Sequence, residues 1–427
     1  MKTVLFRIAL VSLATTLCVA CATSEPEQSL EKPVTSNTAA EAKPAETKPT
    51  PPEESPAERV RRVHFGATVW DTHADTLGRM LEDGVDIGVR LDDGHIDLIR
   101  MKEGGLDVQV FAAWVEPGYW PDKAKDRAVK MIDTLHATVA KYPDRMGFAP
   151  TVKDARRLVS EGKVAALLGI EGGHAIEDDL GALEMFYKKG VRYMTLTWWN
   201  NTNWADGSGD EPKWNGLNDL GRKVVKEMNR LGMIVDVSHA SEDTFWDVLE
   251  IATKPVIVSH SNTRALNDHH RNLTDKQLKA LAKNGGVIGI NFVAGFLDQE
   301  FLRAYKKMKQ KLKPDTDAIM AKYKKDPMRG RKERWKFLEK KAAELLPPVP
   351  LERVIEHIDH AVKVAGIDHV GIGSDFDGFT IGARELKDCT KLPLITEKLL
   401  ARGYSEEDVT KILGGNFLRV FEENIGQ

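Results

Sequence analysis

Eight short apolar runs recur beyond about residue 58, each bounded by Gly, Pro, Asn or Asp and followed by a stretch with helical amphipathic spacing. They occupy residues 67–71, 107–115, 164–170, 191–197, 233–237, 255–259, 286–292 and 369–373. Their near-continuous hydrophobicity is that of parallel strands buried on both faces. Helical patterns fill the gaps at 122–141, 179–189, 217–231, 241–251, 275–284, 351–364 and 392–402, several opened by a capping residue such as Ser241 or Thr274. The alternation predicts an α/β fold, a (β/α)8 TIM barrel over 58–427, with a doubly wound open sheet as the alternative. Residues able to do chemistry follow several different runs rather than one reversal of strand order, which favours the barrel.

One segment breaks the pattern. Residues 297–350 are long, helical and dense in Lys and Arg, including Lys306-Lys307-Met308-Lys309 and Arg329-Gly330-Arg331-Lys332. They read as an insertion after the seventh run, a solvated excursion, with a lid or a dimer contact as the sharper alternative. A homodimer is left open. The formal net charge of −3 over 427 residues argues against a nucleic-acid partner.

The chain begins like an exported protein. Lys2 and Arg7 flank an apolar stretch from Ile8 to Val19, and small residues precede Cys21, so residues 1–20 read as a signal peptide too short for a stable membrane span. The junction Leu17-Cys18-Val19-Ala20-Cys21 resembles a bacterial lipoprotein cleavage box, with Cys18 where leucine is usual. A lipid on Cys21 is therefore expected, followed over 21–57 by a Pro/Glu/Thr-rich tether with too little apolar surface to fold. The implied location is the cell envelope, lipid-anchored on the periplasmic face of the bacterial outer membrane, or secreted or periplasmic if Cys21 is not acylated. Cys389 is then left as an unpaired thiol with no adjacent His to activate it.

Two histidines close matched phrases, Val-Asp-Val-Ser-His239 and Val-Ile-Val-Ser-His260, and Asp71-Thr-His73-Ala-Asp75 sets an imidazole and a carboxylate two residues apart, on one face if the segment is extended. Glu171 closes a further run ahead of Gly172-Gly173-His174, where glycines permit a sharp turn. Three imidazoles and two carboxylates at strand ends suit zinc or a similar divalent ion. A bridging Glu171 would allow two ions ~3.5–4 Å apart to share a water whose pKa falls towards neutrality. Asp375 should face the same mouth and exchange protons with water and leaving group. Asp377 shapes the following turn with Gly378, and His174 stands behind the ligands. Arg271, after His269 and His270, is either a two-pronged grip for a substrate carboxylate or a surface residue.

These phrases resemble the membrane (renal) dipeptidase family, peptidase family M19, of the metal-dependent amidohydrolase-like barrels. The likeness covers nearly all of the chain after the tether. It includes Gly169-Ile-Glu171-Gly-Gly-His174, Arg192-Tyr-Met-Thr-Leu-Thr197, Asn201-Thr-Asn-Trp-Ala-Asp206, His270-Arg271-Asn272, Asp375-Phe-Asp377-Gly378 and Gly414-Gly-Asn-Phe-Leu-Arg-Val-Phe421. The resemblance implies a cell-envelope zinc dipeptidase with two Zn2+ per chain, His73 and Asp75 on one ion, His239 and His260 on the other, Glu171 between them. It also implies that Arg271 holds the dipeptide's C-terminal carboxylate, that Asp375 meets the free amine and protonates the departing nitrogen, and that a C-terminal D-residue is tolerated.

One departure stands out. Where better-known members of the family have a histidine after Leu-Thr that steadies the tetrahedral intermediate, this chain has Trp198 and Trp199. Trp198, Asn200 or His270 would have to supply the contact, or the tryptophans wall a side-chain pocket. The alternatives kept open are a binuclear amidohydrolase acting on N-acyl amino acids or lactones, and a non-catalytic envelope binding lipoprotein.

Overall fold

The computed structural model describes residues 54–426. The expected signal peptide, Cys21 and the tether up to residue 53 lie outside the described residues. From Ser55 the chain is built: its side chain accepts from the Glu58 N–H while Glu58 reaches back to the Ser55 N–H, a reciprocal cap that starts the helix Pro56–Gly66 inside the segment read as tether.

Nine strands follow, β1 Val69–Ala74, β2 Leu106–Trp114, β3 Met146–Phe148, β4 Val164–Glu171, β5 Val191–Thr195, β6 Ile234–Asp236, β7 Ile257–Ser261, β8 Val287–Ile290 and β9 Val370–Ile372. All pairings between them are parallel, and β2 joins β4 to close the sheet. Eight strands form the staves of a (β/α)8 TIM barrel, as the alternation predicts. The ninth, β3, is the addition. β2 takes one edge of β4 from Ala165 to Glu171, and β3 borrows the opposite edge at Val164–Ala166 before β5 joins at Leu168. Met-Gly-Phe is too short to carry a periodic signal.

The apolar runs resolve into two interleaved sets. Val108, Val110, Leu167, Tyr193, Ile234, Ile257 and Val287 fill the barrel interior together with Trp70. Phe111, Ala113, Leu168, Ile170, Met194, Val235 and Val258 pack outward under the helices. Phe417, Val420 and Phe421 of the helix Asn416–Ile425 join the interior set and plug the N-terminal end, with Phe421 edge-on to Trp70 at 5.2 Å. Chemistry is thereby confined to the other end.

Strand limits move by a few residues, and two of the shifts matter. β1 and β7 run through His73 and His260, which were expected to lie just beyond them. Polar residues can stay in the ladder here because their side chains find partners at the rim. The Lys/Arg-rich segment forms the helices Gln299–Lys311, Lys313–Lys322 and Pro327–Leu345 around a small core of Met308, Leu338 and Ala342. It bridges from β8 to the loops after β1 and β2, where Lys332 Nζ lies 3.0 Å from Glu82 and Arg331 Nε 2.6 Å from Glu116. Cys389 is buried and unpaired. Among the described residues, no helix is long and apolar enough to cross a membrane.

Candidate metal centre

Glu171, the last residue of β4, is the hub of the open end. Its Oε1 lies 2.8 Å from His239 Nε2 and 3.5 Å from His260 Nε2, and its Oε2 lies 3.5 Å from His73 Nε2. His73 Nε2 is in turn 3.7 Å from Asp75 Oδ1. Of the five residues read as ligands from the sequence, three imidazoles therefore surround the Glu171 carboxylate and Asp75 joins them through His73. Two triads have ligand atoms within 4.8 Å of one another, His73–Glu171–His260 and His73–Asp75–Asp375, with His73 common to both.

Asp75 reaches the cluster by a route the sequence did not predict. The strand ends at Ala74, and Asp75 sits at φ −92°, ψ 20° as the N-cap of the helix Thr76–Glu82. A turn rather than the pleat brings it beside His73. An N-cap Asp ordinarily accepts from the first helical N–H groups, yet this one makes no such bond. Gly172, at φ +95°, makes the turn that leaves Glu171 at the rim, while His239 and Asp375, both at φ +64°, carry side chains in the left-handed region that bulky residues avoid.

Hydrogen bonds orient two of the imidazoles. Tyr193 donates its hydroxyl proton to Thr72 O at 3.0 Å, so at 2.9 Å it accepts from His73 Nδ1–H, which leaves the His73 Nε2 lone pair facing Glu171. Ser259 Oγ donates to Asp236 Oδ2 at 2.6 Å and accepts from His260 Nδ1–H at 2.8 Å, leaving His260 Nε2 free in the same way. Asp236 is held by the Ser238 and Ser259 N–H groups, each at 3.0 Å, and by Thr195 Oγ1 at 2.5 Å. Sequence reasoning missed Tyr193, Asp236 and Ser259. The signal available was their spacing from the ligands, Ser259 adjoining His260 and Asp236 three residues before His239.

The donor set fits divalent cations. His239 Nε2 and His260 Nε2 face each other at 2.9 Å, and His73 Nε2 and Asp75 Oδ1 are buried without a hydrogen-bond partner. Such atoms are costly in a protein interior unless a cation or proton satisfies them. Burial, and then the Asp75 charge, push Glu171 up to about 8 and Asp375 up to about 7. Burial, seconded by Arg271 for His239 and by His73 for His260, holds both imidazoles well below their ordinary range and thus neutral, the form that ligates.

Beside this cluster lie the residues read as substrate contacts. Arg271 is 3% exposed, which removes the surface reading; its Nη2 donates to His260 O at 3.1 Å, its Nε has no partner, and its guanidinium lies 5.6 Å from the Phe296 ring centre. Asp375 Oδ2 accepts from Asn291 Nδ2 at 2.9 Å. Trp198 and Trp199 flank His239, ring centres at 6.3 and 5.7 Å, and His270 packs edge-on to Trp199 at 5.3 Å. Asn200 donates to Asn201 O and leaves its Oδ1 unpartnered. Two residues do other work. His174 Nε2 bonds Val115 O at 2.8 Å, tying the ends of β2 and β4, and Asp377 accepts from Thr76 Oγ1 and the His95 N–H, at 2.7 and 2.8 Å, anchoring the loop after β1.

Known proteins resemble this chain in sequence and fold. The family model of membrane dipeptidases (peptidase family M19) matches residues 57–426. Dipeptidase tcpJ of Claviceps purpurea (strain 20.1) is 34% identical over 339 residues, 77% of this chain and 69% of its own. The crystal structure of the probable dipeptidase PvdM from Pseudomonas aeruginosa superposes with a TM-score of 0.73 at 28% identity, covering 87% of this chain and 98% of that one. A Rhodobacter sphaeroides metallopeptidase, solved with a phosphinate mimic of the dipeptide L-Ala-D-Ala, gives 0.68 at 29% identity over 84% of this chain and 99% of its own. A closed parallel barrel, a rim of imidazoles and acids suited to metal, and a family match running from the first helix to the last come together in one conclusion: the chain belongs to the membrane dipeptidase family, peptidase family M19, and is a dipeptide-hydrolysing enzyme.

Proposed function

We propose that the rim binds two zinc ions and hydrolyses small dipeptides, including those with a C-terminal D-residue. The observation that carries this reading is the Glu171 carboxylate held among three imidazoles, with Asp75 and Asp375 beside it. His73 and Asp75 would hold one ion, His239 and His260 the other, with Glu171 shared. When bound, such a pair polarises the scissile carbonyl and lowers the pKa of water.

The chain's own residues supply the rest. Arg271, buried and with a free Nε, is suited to the substrate's C-terminal carboxylate through a two-pronged hydrogen bond. A carboxylate demanded so near the reacting centre favours dipeptides over longer chains. Asp375, oriented by Asn291, meets the free amine and returns a proton to the departing nitrogen. The proposed tolerance of a D-residue draws support from the R. sphaeroides relative, whose bound ligand mimics L-Ala-D-Ala. Trp198 in place of the expected histidine supports one second reading, hydrolysis of N-acyl amino acids or lactones at the same rim. A cell-envelope location through lipid on Cys21 is proposed from the leader sequence alone.

Metal analysis and paired assays test this. Purified protein should hold about two equivalents of zinc per chain and turn over both an L,L and an L,D dipeptide, with Asp375→Asn slowing each. Good turnover of acyl amino acids with none of dipeptides would replace the reading.

A further inference from the structure

Trp114 ends β2, and two observations aim its side chain into the mouth. Along β2, Val108 and Val110 belong to the interior set and Phe111 and Ala113 to the outer one, so position 114 faces inward. Its Cα partner on β4 is Glu171 itself, so the two side chains leave adjacent strands at one level and on one face. The Trp114 ring packs on Trp198, centres 5.1 Å apart, and Trp198 adjoins His239.

The Trp114 Nε1–H is buried and has no acceptor. A buried indole N–H normally finds a partner, and leaving one unmade costs ~1–3 kcal/mol. Trp120 and Trp204 also carry unpartnered Nε1 atoms, but neither residue stands on a stave of the barrel. Trp198, which replaces the expected histidine, is partly buried as Trp114 is, but among the described residues its Nε1 is not one of the buried atoms left without a partner.

We infer that the Trp114 indole N–H donates to the scissile carbonyl oxygen as negative charge develops on it, taking over the hydrogen bond that a histidine after Leu196-Thr197 would provide. The indole keeps its proton throughout, so the contribution is stabilisation of the oxyanion and no proton transfer. Trp198 then serves as the wall that holds the Trp114 ring. This rests on the dipeptidase reading of the rim.

The test uses the zinc-loaded full chain and a phosphinate isostere of L-Ala-D-Ala, whose tetrahedral phosphorus mimics the reacting carbon. Trp114→Phe should lower kcat ~10²–10³-fold with KM and bound zinc unchanged, and should weaken phosphinate binding by the same factor. Trp114→Tyr, which restores a donor on the ring, should recover part of both. In the unaltered protein the Trp114 indole proton, assigned by its absence from the Trp114→Phe spectrum, should move downfield when the phosphinate binds, a readout that does not pass through activity. An indole resonance that does not move overturns the inference, as does a Trp114→Phe enzyme within about twofold of the original, or a large loss on Trp198→Phe alone. A zinc-loaded wild type that hydrolyses no dipeptide removes the underlying reading and this one with it.

Discussion

Two charged regions meet at the same end of the barrel, and they are charged for opposite reasons. Around Glu171 the side chains of His73, Glu171, His239 and His260 are at most 5% exposed, and several of their polar atoms have no protein partner. In the helices over 299–345 the ion pairs are wet. Arg331 and Glu116 are 42% and 19% exposed, Lys313 and Asp317 69% and 62%. An exposed pair contributes ~0–1 kcal/mol because water already solvates both partners. A buried, unpaired group carries a desolvation penalty that something must offset. The rim's charges are arranged for a ligand, and those of the excursion satisfy one another and the solvent.

The largest test of that contrast is Glu171→Gln, which keeps the shape of the hub and removes its charge. Zinc content should collapse and kcat/KM fall by at least about 10³-fold, equivalent to ~4 kcal/mol of transition-state stabilisation. Full metal content in the variant would break the comparison, since the carboxylate would then be a bystander.

Chelation comes next. Metal bound at 100 times its Kd adds ~2.7 kcal/mol of stability, so melting temperature should fall on stripping. The stripped chain should also acquire a pH dependence. Glu171 at about 8 and Asp375 at about 7 lie above their ordinary carboxylate values, 4.5 and 3.8, so their contribution is fully present below those ordinary values and is lost as pH climbs through 7 to 8. Thermal melts at pH 5 and pH 8, with and without chelator, measure it; a stripped chain equally stable at both would contradict the burial of these acids.

Smaller still is Tyr193→Phe. It removes the acceptor for His73 Nδ1–H while keeping the ring, and should weaken zinc affinity ~10–100-fold, read by competition with a metal indicator. Ser259→Ala should act likewise through His260. Affinity unchanged in both would mean that the ligands orient themselves without help.

Smallest is Arg331→Ala, expected to cost no more than ~1 kcal/mol in a double-mutant cycle with Glu116→Gln. A coupling of several kcal/mol, or a changed KM, would show the excursion to be part of the site.

The barrel was legible because strands buried on both faces must be apolar almost throughout, which writes each stave as an unbroken run. β3 was invisible for the converse reason, being three residues borrowed onto a free edge of β4. The candidate ligands stood out where each closes a recognisable phrase, as His239 and His260 do. Asp75 came to light by a spacing argument whose geometry was wrong, since a turn and not an extended segment brings it to His73. Arg271 could be read equally as surface or site until its burial was seen.

What the sequence determined by itself was the fold and the identity of the groups at the rim, because periodicity and residue chemistry are local properties. What only the tertiary structure decided was which nitrogen of His73 and of His260 is free, which tryptophan N–H groups lack an acceptor, and that Trp114 stands level with Glu171. Those depend on strand register and on hydrogen bonds between different strands, from Asp236 to Ser259 and, more than a hundred positions apart, from Tyr193 to His73. No local pattern encodes such pairings; they exist only once the barrel has closed.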